Sequence, residues 1–137
     1  MKIAHFSVVA LPFMLLAACG GQAPQSVADQ QAQLCTDLAR FNTSVATLKS
    51  MSPSSTVSDF RGARDEVKTN FEQVKLTAQN VKNAKVAELE TAYQDLDSTI
   101  QNIPETATLQ QAMDSVSGQV AAVEAARAQM DADLNCP

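Results

Sequence analysis

The chain has 137 residues, a formal net charge of −5 and 18% charged side chains, which suffices for one small domain and no more. It contains one Tyr (Tyr93), one His (His5) and no Trp. Ala, Val, Leu, Gln and Thr dominate, a helix-rich mixture of small side chains suited to close helix packing, and the acidic balance argues against nucleic acid as a partner.

At the N-terminus, Lys2 and His5 precede a short apolar run, Phe6 to Leu16, that contains Pro12. A membrane-spanning helix needs roughly 20 apolar residues. A basic start, a short apolar middle and small residues before a cleavage point fit a secretory leader instead. The run closes on Leu16-Ala17-Ala18-Cys19, which resembles the lipobox of bacterial lipoprotein signal peptides. That resemblance implies removal of residues 1–18 and lipidation of Cys19 as the new N-terminus. It also implies anchoring to the cell envelope by two or three acyl chains, palmitate-like in kind, since one chain alone binds only marginally. The residue after the cysteine is Gly20 and not Asp. In Gram-negative lipoproteins this implies the periplasmic face of the outer membrane; in a single-membrane cell the equivalent is the outer face of the plasma membrane. Residues 19–25 then form a lipidated tether, and its six residues from Gly20 to Gln25 reach at most about 20 Å. A helical domain is expected over 26–137.

Ser26 with Asp29 three positions on makes a helix entry like a capping box, with Asp in place of the usual Glu or Gln. Leu34, Leu38, Phe41, Val45 and Leu48 follow in alternating steps of four and three, one apolar stripe on a helix. The helix is expected to stop near Met51, before the turn cluster Ser52-Pro53-Ser54-Ser55.

A second helix is expected to start around Thr56, with Asp59 as its cap partner. Its stripe is Phe60, Val67, Phe71, Val74, Ala78 and Val81, and a further stripe runs through Leu89, Tyr93, Leu96, Ile100 and Ile103. The step from Val81 to Leu89 is four plus four, which resembles a coiled-coil stutter. No Gly or Pro lies between Gly62 and Pro104. These features predict one long helix over 56–103 with a kink near Asn80–Lys85; two helices split there are the alternative. Pro104 ends the segment. Thr108 and Gln111 make a capping box for a last helix with the stripe Leu109, Met113, Val116, Val120, Val123, Arg127, Met130 and Leu134. The expected fold is an all-α, antiparallel three-helix bundle of coiled-coil character with a long central helix. Gly118 lies off the stripe and costs about 1 kcal/mol against Ala.

Removing Cys19 leaves Cys35 and Cys136, which in an exported chain are expected to pair. With turns near residues 53 and 105, Cys35 stands level with Glu72 of the long helix and Cys136 level with Val74, a mismatch of only about 3 Å. Closing so long a loop is worth roughly 4–5 kcal/mol in the chain-entropy picture. A redox-active pair is the alternative, but the Cys-x-x-Cys spacing is absent.

Charge is uneven. Eight bases and four acids lie between Leu38 and Ala87, whereas from Glu88 onward Arg127 is the sole base against nine acids. Intramolecular pairing is the plain reading, with Glu72–Lys75 and Asp65–Lys68 as helix-spaced pairs. A basic face toward anionic lipid or an acidic partner is the functional one. Arg127 interrupts the last seam and is expected to snorkel toward solvent or Asp131.

No catalytic constellation is visible. Beyond residue 18 there is no His, so Ser/His and Cys/His nucleophile systems are excluded. Asp95/Asp97 and Asp131/Asp133 are spaced by two and splay across a helix, so no metal site is expected. No Gly-rich phosphate loop and no cofactor motif occurs. Met113 and Met130 read as core filler, and Tyr93 as a core residue with its hydroxyl at the surface. The expectation is a non-enzymatic envelope lipoprotein with a structural or interaction role, partnered by the membrane, by an envelope protein or by itself. The surface of the long helix is the expected docking seam. The alternative is a module for a small apolar or lipidic ligand held near Ala78, Ala84 and Ala87.

Overall fold

The computed structural model describes residues 25–82 and 84–137. The leader, Cys19 and Gly20–Pro24 lie outside the described residues. Four α-helices make up the described chain: α1 (Val27–Lys49), α2 (Val57–Ala78), α3 (Val86–Gln101) and α4 (Leu109–Leu134).

Three helix starts are built by the predicted capping pairs. Ser26 with Asp29, Thr56 with Asp59 and Thr108 with Gln111 each form a reciprocal capping box, so two of the otherwise unpaired first-turn donors are satisfied at each start. The hydrogen bonds from Ser26 hold the Asp29 carboxyl below the usual range, and those from Thr56 do the same for Asp59. α3 begins at Lys85 with no side-chain cap.

The long central helix does not form. α2 stops at Ala78, and the chain turns through single-turn hydrogen bonds: the Asn80 amide donates to Thr77, the Val81 amide to Ala78 and the Ala84 amide to Val81. The reversal has a physical reason. A continuous helix would carry the apolar seam from Val81 to Leu89 through Lys85, and burying an unpaired ammonium there is costly. In the turn, Val81 and Leu89 are both buried while Lys85 stays exposed. Asn80, a poor helix former, assists.

α3 therefore runs back along α2. The Phe71 and Tyr93 rings stack 4.2 Å apart, Lys75 pairs with Glu90 at 2.7 Å, and Arg61 donates to the Ile103 carbonyl at 3.1 Å. The result is an up-down-up-down four-helix bundle, closed by contacts of α1 with α4. α1–α2 and α3–α4 pack as the closest pairs, and α2–α3 approach less closely. The bulk of Phe41, Phe71 and Tyr93 fills that wider seam, with the Phe41 and Phe71 rings 5.7 Å apart.

The predicted stripes form the core. All five stripe residues of α1 are buried, as are the two stripes assigned to the central segment. In α4, Met113 is half-buried instead of core and Ala112 is fully buried beside it, while Arg127 is half-buried with its guanidinium on Asp131, as expected. The uneven charge resolves mainly across helices. Lys49–Glu124, Arg61–Glu105, Arg64–Asp97, Lys75–Glu90 and Lys85–Asp133 each join the base-rich stretch to the acid-rich one. Of the two expected helix-spaced pairs, Lys75 turns to Glu90 on α3, and Asp65 pairs with Arg64.

Candidate functional site

Cys35 and Cys136 are bonded, with Cα atoms 5.5 Å apart. Local structure aims the second cysteine. Asn135 ends α4 in the left-handed conformation (φ 52°), and the Cys136 amide donates back to the Asp131 carbonyl at 2.9 Å. This is a Schellman-type ending that Asn tolerates, and it swings the chain toward α1. The bridge sits at the end of the bundle that holds the α2–α3 turn, not halfway along a long helix as expected. Asp37 of α1 meets Thr77 at the end of α2, and Asp133 of α4 meets Lys85 at the start of α3. The two cysteines stand level because the two hairpins return to the same end.

Sequence reading missed the buried polar group here. The Asp37 side chain is wholly buried. It accepts from Thr77 Oγ1 at 2.7 Å, from Gln33 Nε2 at 3.1 Å and from the Arg40 guanidinium at 3.5 Å. The one available signal was its position next to Leu38 and three after Leu34, at the edge of the apolar stripe. A second network joins α2 to α3. Arg64 Nε donates to Asp97 at 2.6 Å, Gln101 to the other Asp97 oxygen at 2.6 Å, and the Tyr93 hydroxyl to Asp97 at 3.4 Å. Burial pushes the Tyr93 hydroxyl up, with the Asp97 charge adding to it. For Asp97, burial opposes ionisation, but the Arg64 hydrogen bond and charge outweigh it and hold the carboxyl below its usual range.

Both networks are saturated, so they hold helices in register and leave no group poised for proton transfer. The paired carboxylates diverge: Asp97 faces α2 while Asp95 is exposed, and Asp131 pairs with Arg127 while Asp133 pairs with Lys85. Among the described residues no three His, Cys, Asp or Glu side chains converge as a metal site. No described helix is long and apolar enough to cross a membrane.

Two open surface features lie along the α1–α4 seam, and others lie between α3 and α4 and beside the α2–α3 turn. Near the disulfide a cleft of about 620 Å³ is lined by Thr36, Asn42, Thr43, Arg127 and Asp131 with the bridge itself. At the other end a groove of about 220 Å³ has an apolar floor of Leu48, Met113, Val116 and Val120. Lys49 spans it, reaching both Glu124 oxygens at 3.1 Å. Asp114 on its rim accepts only from Gln110, at 2.9 Å, among the described residues. The docking seam expected on a long central helix is absent, because the apolar stripes of α2 and α3 are both buried in the bundle. Near the turn, Ala78, Val81 and Leu89 are core and Ala84 packs against them, and a cleft of about 430 Å³ is lined by Asn80, Val81, Lys82 and Asp133. Ala87 lines only a shallow cleft with Thr91 and Ala126.

No family model, no curated protein and no solved structure matches this chain.

Proposed function

We propose that the protein is a lipid-anchored, non-enzymatic component of a bacterial cell envelope whose helical bundle serves as an interaction module. Leu16-Ala17-Ala18-Cys19 carries the anchoring half of this reading, with Gly20 favouring the periplasmic face of an outer membrane where there is one. The observation that carries most weight is the Cys35–Cys136 bond, because such bonds persist in oxidising, extracytoplasmic compartments. The saturated polar networks support a role in binding over one in catalysis. They spend the titratable groups on holding helices together.

Intact mass of the protein from its native cells, with and without reductant, tests the reading. The expected species begins at Cys19, carries two or three acyl chains and gains the mass of two hydrogens on reduction. A water-soluble cytoplasmic species that begins at Met1 would overturn it.

A further inference from the structure

We infer that the groove between the end of α1 and the first half of α4 seats an apolar side chain flanked by Lys or Arg on a partner protein's helix; this deepens, and rests on, the interaction-module reading.

The groove opens to solvent over half-buried Met113, a side chain that adapts its shape to an incoming group, with buried Leu48, Val116 and Val120 beneath it. At about 220 Å³ the groove has room for one large apolar side chain, not for a lipid. Charge selects the partner. The charged residues that line the groove are Lys49, Asp114 and Glu124. Its one cation, Lys49, is already bonded to both Glu124 oxygens, while the exposed Asp114 carboxylate has only an amide partner among the described residues. A base beside the anchoring residue would complete Asp114; an acid there would be repelled.

The chain's own N-terminal segment is excluded as occupant in the anchored form. It enters at Ser26, and α1 carries the groove about 33 Å from that point at 1.5 Å per residue. A six-residue tether spans roughly 20 Å at most. Cys136 is held at that same far end by its bond to Cys35.

The experiment uses the full chain in its native cells. A photoreactive residue is placed at exposed Ser117 or Ala121 beside the groove, or at exposed Gln94 on α3 as a control, and cross-linked peptides are sequenced by mass spectrometry. The expected product, from Ser117 and Ala121 but not Gln94, is a segment with an apolar residue next to Lys or Arg. Its yield should fall about tenfold when Asp114→Lys or Ala121→Arg is introduced with the label at Ser117. Both altered side chains are exposed, and an unchanged circular dichroism spectrum confirms the fold. Cross-links to a second copy, to an acidic segment or to lipid would overturn the inference, as would no product or a yield insensitive to both substitutions. Fractionation of the same cells reads the anchor separately: a soluble chain that still cross-links as expected sinks only the anchoring claim.

Discussion

Phe71 and Tyr93 stand 22 positions apart in sequence, yet their rings stack at 4.2 Å with an interplanar angle of 24°. In one continuous helix the same residues would lie about 33 Å apart. The contact defines the α2–α3 hairpin, and it can be read in solution. Spin labels at exposed Glu72 and Gln94 should give a separation well under about 30 Å, since neighbouring helix axes lie only 8–10 Å apart. A longer distance would restore the single long helix.

The disulfide closes the two ends of the described chain onto each other across 101 positions. Cys35→Ser with Cys136→Ser should lower the unfolding free energy by about 2–5 kcal/mol while the far-UV helix signal is retained at low temperature. Urea titration followed by circular dichroism measures this. No loss of stability would mean that the bundle's core alone holds the ends.

Asp37 and Thr77 are both buried, and their 2.7 Å hydrogen bond crosses from α1 to α2. Removing only the donor should cost more than removing both groups, because the buried carboxylate then keeps its desolvation penalty with only Gln33 and the Arg40 guanidinium as partners. Thr77→Val is expected to destabilise by about 1.5–3 kcal/mol. The double change Asp37→Leu with Thr77→Val should recover most of that loss. A double variant weaker than the sum of the singles would refute the argument.

In the folded protein burial opposes ionisation of Asp97, but the Arg64 hydrogen bond and charge hold its carboxyl below the usual carboxylate range. Its folded form therefore binds a proton less readily than the unfolded chain. The stability it contributes is fully present above the unfolded pKa and is lost as pH falls through the folded one. Asp97→Asn should be less stable than the parent near about pH 6, with the gap closing as pH drops toward about 2–3. Thermal unfolding at several pH values checks this. A gap that does not change with pH would remove Asp97 from the acid response.

Gly62 and Gly118 sit inside α2 and α4, and a Cβ built on either meets no atom within 4 Å. Neither needs a left-handed backbone. Gly62→Ala and Gly118→Ala should each stabilise the fold by about 0.5–1 kcal/mol through the lower helix entropy cost. A loss of stability on either substitution would show that the added Cβ meets a neighbour within the bundle.

Much of the fold could be read before the coordinates. Ser26, Thr56 and Thr108 mark three helix starts because capping depends on groups three residues apart. The stripes mark the core because burial follows helical periodicity. The fourth helix start at Lys85 carries no capping residue; the four-plus-four step from Val81 to Leu89 marked the break but allowed a kink as well as the split that forms. The absence of Gly and Pro from Gly62 to Pro104 permitted a continuous helix. Asp37 escaped for a related reason: an acid at a stripe's edge is exposed or buried according to which helix arrives beside it. The groove depends on the angle and spacing of α1 and α4, which leave no periodic trace.

The amino-acid sequence alone determined helix content, three of the helix starts and the inward faces, because each rests on chemistry local to a turn or on helical periodicity; with three thiols in the chain, pairing Cys35 with Cys136 followed only on the expectation that Cys19 is acylated. Only the packed bundle decided that the chain reverses after Ala78, that the bases of the first half pair with acids of the second, and that a groove stays open beside Met113. Those outcomes turn on distant residues competing for one core, where excluding Lys85 and stacking Phe71 on Tyr93 outweigh the local preference to continue a helix.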